Sequence, residues 1–172
     1  MKHVKLSENI YYLGVNDRRT NLFENAWPLP NGVAYNSYLI VDEKVALIDT
    51  VEYGHMEDFL ERISDILESR TIDYLIVNHM EPDHSGAIRQ ITHLFPDIQI
   101  VGNKKTFPML KSFFGIDQNQ YEVSEGDTID LGTHKLNFYM IPMVHWPETM
   151  VTYESTTKTL FSADAFGSFG TL

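Results

Sequence analysis

The 172-residue chain contains no cysteine, which excludes disulfides, thiolate zinc sites, iron–sulfur ligation and a cysteine nucleophile together. Any metal bound here takes nitrogen and oxygen donors only. Positive charge is scarce as well: 13 Lys and Arg stand against 24 Asp and Glu, a net charge of −11. Phosphate backbones and anionic lipid surfaces repel such a chain, so neither nucleic acid nor a membrane surface is an expected partner. No run approaches the ~20 apolar residues of a membrane span, and Met1-Lys2-His3-Val4-Lys5 leads into no signal-peptide core. The cytoplasm is the expected location. Linkers, internal repeats and low-complexity tracts are missing too. What is present is a globular composition, 43% apolar and 12% aromatic, in a length that fits one domain or most of one.

The pattern begins with strands. Val4 to Val15 reads as strand, turn and strand, and Asp17-Arg18-Arg19-Thr20 breaks it. Leu22 to Val33, with Pro28, Pro30 and Gly32, reads as a loop anchored by Phe23 and Trp27. Tyr35 to Val41 and Val45 to Asp49 form the two halves of an expected hairpin. From Glu52 to Arg70, Met56, Phe59, Leu60, Ile63, Ile66 and Leu67 follow helical spacing, so an amphipathic helix is expected to cover a sheet face. Ile72 to Val77 reads as a buried strand, Ala87 to about Phe95 as a helix, Ile98 to Val101 as a strand and Lys104 to Phe114 as a second amphipathic helix. After Gly115 only strands are expected: Tyr121 to Val123, Thr128-Ile129, Lys135 to Ile141, Met150 to Tyr153 and Thr159 to Ser162. This order suits two packed sheets with helices on their outer faces. Outside the ligand clusters, His55 and His134 read as surface residues, and His93 as packing or solvent-facing.

The run Asn78-His79-Met80-Glu81-Pro82-Asp83-His84-Ser85-Gly86 follows the buried strand. Within six positions it presents two imidazoles and two carboxylates, donors that suit first-row metals. A loop at the carboxyl end of a strand is where open α/β sheets place their ligands, with a helix opening at Ser85 or Gly86. Taken singly, each residue fits an ordinary capped turn, with Asp83 or Ser85 as the cap. Taken together, the alternation His-x-Glu-x-Asp-His suits a two-metal site. Two later strand ends carry further candidates. His145 lies in Pro142-Met143-Val144-His145-Trp146-Pro147-Glu148, and Asp164 in Phe161-Ser162-Ala163-Asp164-Ala165-Phe166-Gly167. Alone, His145 reads as core filling and Asp164 as a turn residue. The metal reading requires all three loops to open at one sheet edge.

These motifs resemble the metallo-β-lactamase superfamily, and its flavodiiron branch in particular. Tyr35-Asn36-Ser37-Tyr38 leading to Leu47-Ile48-Asp49-Thr50-Val51, His145-Trp146-Pro147 and Ser162-Ala163-Asp164-Ala165-Phe166-Gly167 carry the likeness over essentially the whole chain. Hydrolytic members have histidine where this chain has Glu81. The exchange supplies anionic oxygen from Glu81, Asp83 and Asp164, which stabilises the higher oxidation state of a cycling metal, whereas a histidine-rich set suits zinc. The resemblance implies an α/β (α+β) fold, the metallo-β-lactamase-like αββα four-layer sandwich, incomplete at the C-terminus. It implies two iron ions: one held by His79, Glu81 and His145, the other by Asp83 and His84, with Asp164 between them. Trp146 is expected as packing or as a wall of the substrate pocket.

The implied activity is reduction of O2 to water or of NO to N2O. Its electrons would arrive through FMN from rubredoxin or a similar donor, in a homodimer or a dimer of dimers arranged head to tail. The resemblance further implies that residues 1–172 form the N-terminal part of the di-iron domain of a longer protein, whose remainder holds another histidine ligand and a flavodoxin-like FMN domain. Two other functions compete: a di-zinc hydrolase of a thioester, lactam or phosphodiester, and a binding module that keeps the fold without catalysis.

Overall fold

A computed structural model describes residues 4–171. Its framework is a seven-stranded sheet in the order β1 (Val4–Ser7), β2 (Ile10–Tyr12), β7 (Tyr38–Val41), β8 (Val45–Ile48), β9 (Tyr74–Ile76), β10 (Gln99–Gly102), β11 (Gln120–Glu122). The first half is antiparallel, including the expected β7–β8 hairpin, and from β8 onward the strands run parallel. Parallel neighbours require crossovers, and helices supply them: α1 (Met56–Leu67), α2 (Pro82–Ser85) with α3 (Ile88–Leu94), and α4 (Thr106–Phe114). A second sheet is an antiparallel meander of β12 (Thr128–Asp130), β13 (Lys135–Met140), β14 (Met150–Glu154) and β15 (Thr159–Phe161). Two short ladders complete the strands, β3 (Val15–Asp17) with β6 (Val33–Tyr35), and β4 (Leu22–Phe23) with β5 (Trp27–Pro28).

Strand periodicity divides the core in two. Along β8, Val45 and Leu47 face one side and Ala46 and Ile48 the other, and all four are buried. A central parallel strand covered on both faces has this continuous apolar character. On one side Leu39, Leu47, Leu75 and Ile100 pack under the helices, whose buried stripe in α1 is Phe59, Ile63 and Leu67 at i, i+4 and i+8. On the other, Ile40, Ile48, Ile76 and Val101 meet Leu136, Phe138, Met150 and Phe161 of the meander. The helices therefore lie on the outer face of the large sheet. Among the described residues none covers the outer face of the meander, so the expected second helical layer is not seen there.

The structure differs from expectation in several local places. The strand expected at Tyr35–Val41 is two strands, β6 and β7, broken at Asn36-Ser37 because the Ser37 hydroxyl donates to the Asp49 carbonyl (2.9 Å) and Leu13 donates its N–H to the Ser37 carbonyl (2.9 Å). The strand near Tyr121 extends the large sheet beside β10 instead of joining the meander. Trp27 is 61% exposed, whereas Phe23 packs on Phe169 with ring centroids 5.1 Å apart. His55 is half-buried against Asp17 (3.1 Å), and His134 is buried against Glu154 (3.3 Å). Each histidine is drawn inward by a carboxylate remote in sequence. His93 is exposed.

Candidate metal centre

The ligand-type residues are positioned by three strand ends. His79 and Glu81 follow β9. Asp83 and His84 belong to α2, a single helical turn opened by Pro82 and not the loop expected for them. Neither Asp83 nor Ser85 caps it; the cap position is Glu81, and the Ser85 hydroxyl donates to the Met80 carbonyl (2.9 Å). Gly86 allows this turn to press onto the 51–53 segment, since a Cβ there would lie 2.6 Å from Tyr53 N and 2.9 Å from the Val51 carbonyl. His145 stands in the β13–β14 loop and Asp164 just after β15. Both loops hold left-handed non-glycine backbone, Met143 at φ 68° and Ala163 at φ 48°, conformations that cost about 1–3 kcal/mol each and persist only where surrounding contacts impose them.

Beneath these loops Asn78, fully buried, joins the two sheets. Its N–H donates to Asp49 Oδ1 (2.7 Å) and its Nδ2 to Asp49 Oδ2 (3.2 Å) within the large sheet. Its carbonyl accepts from Met150 N–H (3.0 Å) and its Oδ1 from the Thr152 hydroxyl (2.7 Å) in the meander.

All six candidate residues converge. Glu81 Oε2 lies 3.1 Å from His79 Nε2 and 2.7 Å from His145 Nε2. Asp164 uses both oxygens: Oδ2 sits 3.2 Å from His145 Nε2 and 3.4 Å from His79 Nε2, while Oδ1 is 2.7 Å from His84 Nε2. Asp83 Oδ2 is 3.6 Å from His84 Nε2. Two groups result, His79–Glu81–His145–Asp164 and Asp83–His84–Asp164, each with its donor atoms within 4.8 Å of one another and both containing Asp164.

Burial is uneven across the cluster. His79, Glu81, Asp83 and His84 are buried, but the His145 side chain is 55% exposed and that of Asp164 34%. A cavity of about 710 Å3 opens on that exposed side, lined among others by Glu81, Asp83, His145, Trp146, Asp164 and Phe169. The Trp146 ring also packs edge-on against His79 at 5.2 Å.

The electrostatics show how tightly charge is gathered. Burial opposes protonation of His79, but Asp164, Glu148 and Glu81 outweigh it and push its pKa up to about 11. His84 is likewise disfavoured by burial and raised to about 9, chiefly by Asp164. Burial lifts Asp83 to about 6 in spite of His84, and lifts Asp49, behind the site, to about 6 as well. Asp164, also penalised by burial, is held far below the usual carboxylate range by His79 and His84. Protons on the imidazoles here balance a concentration of carboxylates that a cation would balance equally. The buried Asp83 Oδ1 has no hydrogen-bond partner, and the donor atoms gathered in the two groups are carboxylate oxygens and imidazole nitrogens. This donor set fits a pair of first-row metals.

Three residues outside the sequence-based candidates belong to the site. Asp49 and Asn78 form its floor. Glu148, fully buried, accepts from His79 Nδ1 (2.8 Å) and from Met80 N–H (2.9 Å). The available signal for Glu148 is its position three residues beyond His145, in the loop just before β14.

Residues 33–171 match the family model described as ODP family beta lactamase. The chain belongs to this family. Among similar proteins, the nitric oxide reductase of Moorella thermoacetica is 38% identical over 166 residues, covering 95% of this chain and 42% of that protein. The flavodiiron protein from Giardia intestinalis superposes with a TM-score of 0.93 at 30% identity, covering 100% of this chain and 42% of that one. The rubredoxin oxygen:oxidoreductase of the anaerobe Desulfovibrio gigas superposes with a TM-score of 0.94 at 30% identity, over 99% and 43% of the two chains. Against the first curated relatives, this ODP family chain spans 25–42% of their length. The mixed α/β, β-lactamase-like fold is thus common to the chain and to flavodiiron structures. Among the described residues no helix is long and apolar enough to cross a membrane.

Proposed function

We propose that residues 1–172 are the N-terminal part of the di-iron domain of an oxidoreductase that reduces O2 to water, NO to N2O, or both, with electrons delivered through FMN. The observation that carries this reading is Asp164, whose two oxygens face two separate donor groups, as a carboxylate shared by two metals must. His79, Glu81 and His145 would hold one iron and Asp83 and His84 the other. Two irons held there would supply reversible one-electron exchange for reduction of a diatomic molecule.

The chain's own residues do the rest. Glu81, Asp83 and Asp164 set an oxygen-rich, anionic field that favours the oxidised metal. Glu81 in particular stands against the hydrolytic alternative, because it places a carboxylate where zinc hydrolases of this superfamily carry an imidazole. Trp146 closes one wall of the cavity while holding the His79 ring edge-on. The exposed His145 and Asp164 leave the cavity side open for a small substrate and for an electron carrier.

The names of the relatives support this reading: one is a nitric oxide reductase, another a rubredoxin oxygen:oxidoreductase, a third a flavodiiron protein. We extend it to the parent protein. There the domain is followed by a flavodoxin-like FMN domain, rubredoxin or a similar carrier is the donor, the assembly is a head-to-tail dimer or dimer of dimers, and the place of action is the cytoplasm. The test is metal analysis and gas-uptake kinetics on full-length protein grown with iron in excess. About two irons per subunit, with reductant-dependent consumption of O2 or NO, supports the proposal. Retained zinc with hydrolysis of a chromogenic ester or lactam overturns it.

A further inference from the structure

We propose that Glu148 is a positioning residue for the metal centre: it fixes the tautomer and orientation of His79 and strengthens that imidazole as a donor to its metal. This rests on the reading of the site as a metal centre.

The geometry is one-sided. His79 is fully buried, with Nε2 turned toward Glu81 Oε2 (3.1 Å) and Asp164 Oδ2 (3.4 Å) and Nδ1 turned away toward Glu148 Oε1 (2.8 Å). An ionised carboxylate only accepts hydrogen bonds, and a neutral imidazole carries one N–H. With a metal at Nε2 the ring keeps a single proton, which belongs on Nδ1 against Glu148, and the Nε2 lone pair faces the donor cluster. The ring is confined as well. Trp146 stands edge-on at 5.2 Å, His145 and His84 flank it at 5.1 and 5.4 Å, and the Thr149 hydroxyl lies 3.4 Å from Nδ1.

Glu148 is itself anchored. Oε1 also accepts the Met80 N–H (2.9 Å), and Asn103 Nδ2 donates to its main-chain carbonyl. Oε2 has no hydrogen-bond partner among the described residues. A buried carboxylate is costly unless it faces a cation or a strongly polarised donor, and the atom facing Oε1 is His79 Nδ1. A metal-bound imidazole is such a donor, and the pairing raises its basicity. The arrangement is specific to one side of the site, because His84 Nδ1 is buried with no hydrogen-bond partner. Of the two metals, the one on His79 would receive the stronger imidazole and the greater stabilisation of its oxidised form.

The test is Glu148→Gln in iron-loaded full-length protein. Glutamine keeps the volume and an acceptor oxygen but removes the charge. Chelator competition is expected to show one of the two irons bound about 10–100-fold more weakly. Redox titration should show one potential raised, by about 59 mV for each tenfold by which the oxidised form is weakened more than the reduced form. Glu154→Gln, a buried glutamate at the opposite end of β14, should lower thermal stability and leave both readouts unchanged. A folded Glu148→Gln protein with the affinity and potentials of the wild type overturns the proposal. Should that variant not fold, long-range 1H–15N spectra of the zinc-loaded wild type decide. A proton on Nδ1 of His79 supports the assignment, and an unprotonated Nδ1 overturns it. Wild-type protein that takes up no metal would instead overturn the metal-centre reading, before any substitution is made.

Discussion

Removing the charge of Glu154 isolates one buried carboxylate whose contribution to folding can be worked out from its contacts. Glu154 is fully excluded from solvent at the end of β14. Its oxygens accept N–H bonds from Thr156 and Thr157, both at 2.7 Å, and the Thr157 hydroxyl donates to it as well. Burial opposes its ionisation, but these donors outweigh that and lower its pKa from 4.5 to about 2. At 1.36 kcal/mol per unit the difference is about 3 kcal/mol of native-state stabilisation. The folded pKa is the depressed one, so the stabilisation is complete above the unfolded value near 4.5. It is lost as pH falls toward about 2; by pH 3.5 about 1.4 kcal/mol of it is gone. Glu154→Gln cannot titrate. In urea unfolding, the gap between wild type and variant should therefore be largest at pH 7 and narrow by about 1.4 kcal/mol at pH 3.5. A gap that stays constant over that range refutes the assignment of the stabilisation to the ionised carboxylate.

Other substitutions probe the centre and its support. Asp164→Ala removes the oxygens facing both donor groups, and elemental analysis should show most of the bound metal lost; two ions at full occupancy would refute a shared carboxylate. Gly86→Ala places a methyl group 2.6 Å from Tyr53 N and 2.8 Å from the Pro82 carbonyl. Overpacking of this kind costs about 1–3 kcal/mol, and because α2 must shift, iron affinity should fall along with the melting temperature. An unshifted melting curve would show that the contact relaxes freely.

Much of this could be read from residue order, where the governing interactions are local. The helix α1 announces itself through Phe59, Ile63 and Leu67, because one face of a helix repeats within a few residues. The run His79-x-Glu81-x-Asp83-His84 is equally local. His145 and Asp164 were legible only as ligand-type residues at strand ends, supported by a resemblance, since their approach depends on how two sheets stack. What escaped reading depends on partners far away in the chain. His55 and His134 look like surface residues until Asp17 and Glu154 are brought against them. Glu148, between Pro147 and Thr149, has the appearance of a solvated turn charge, and only the packed structure turns it beneath His79. The break at Asn36-Ser37 is hidden among good strand formers, because it is set by hydrogen bonds to Asp49 and Leu13 and not by propensity.

Asn78 has a consequence for how the molecule matures. Four of its polar contacts are divided between the two sheets, so it acts as a rivet that sets their alignment directly below the donor atoms. His79 to His84 come from one sheet and His145 and Asp164 from the other. If the layers slipped by a single residue, this rivet and the shared carboxylate would be lost in the same movement. On the proposed metal reading, ion capture would then discriminate well-assembled chains from misaligned ones, making it a final inspection of tertiary structure.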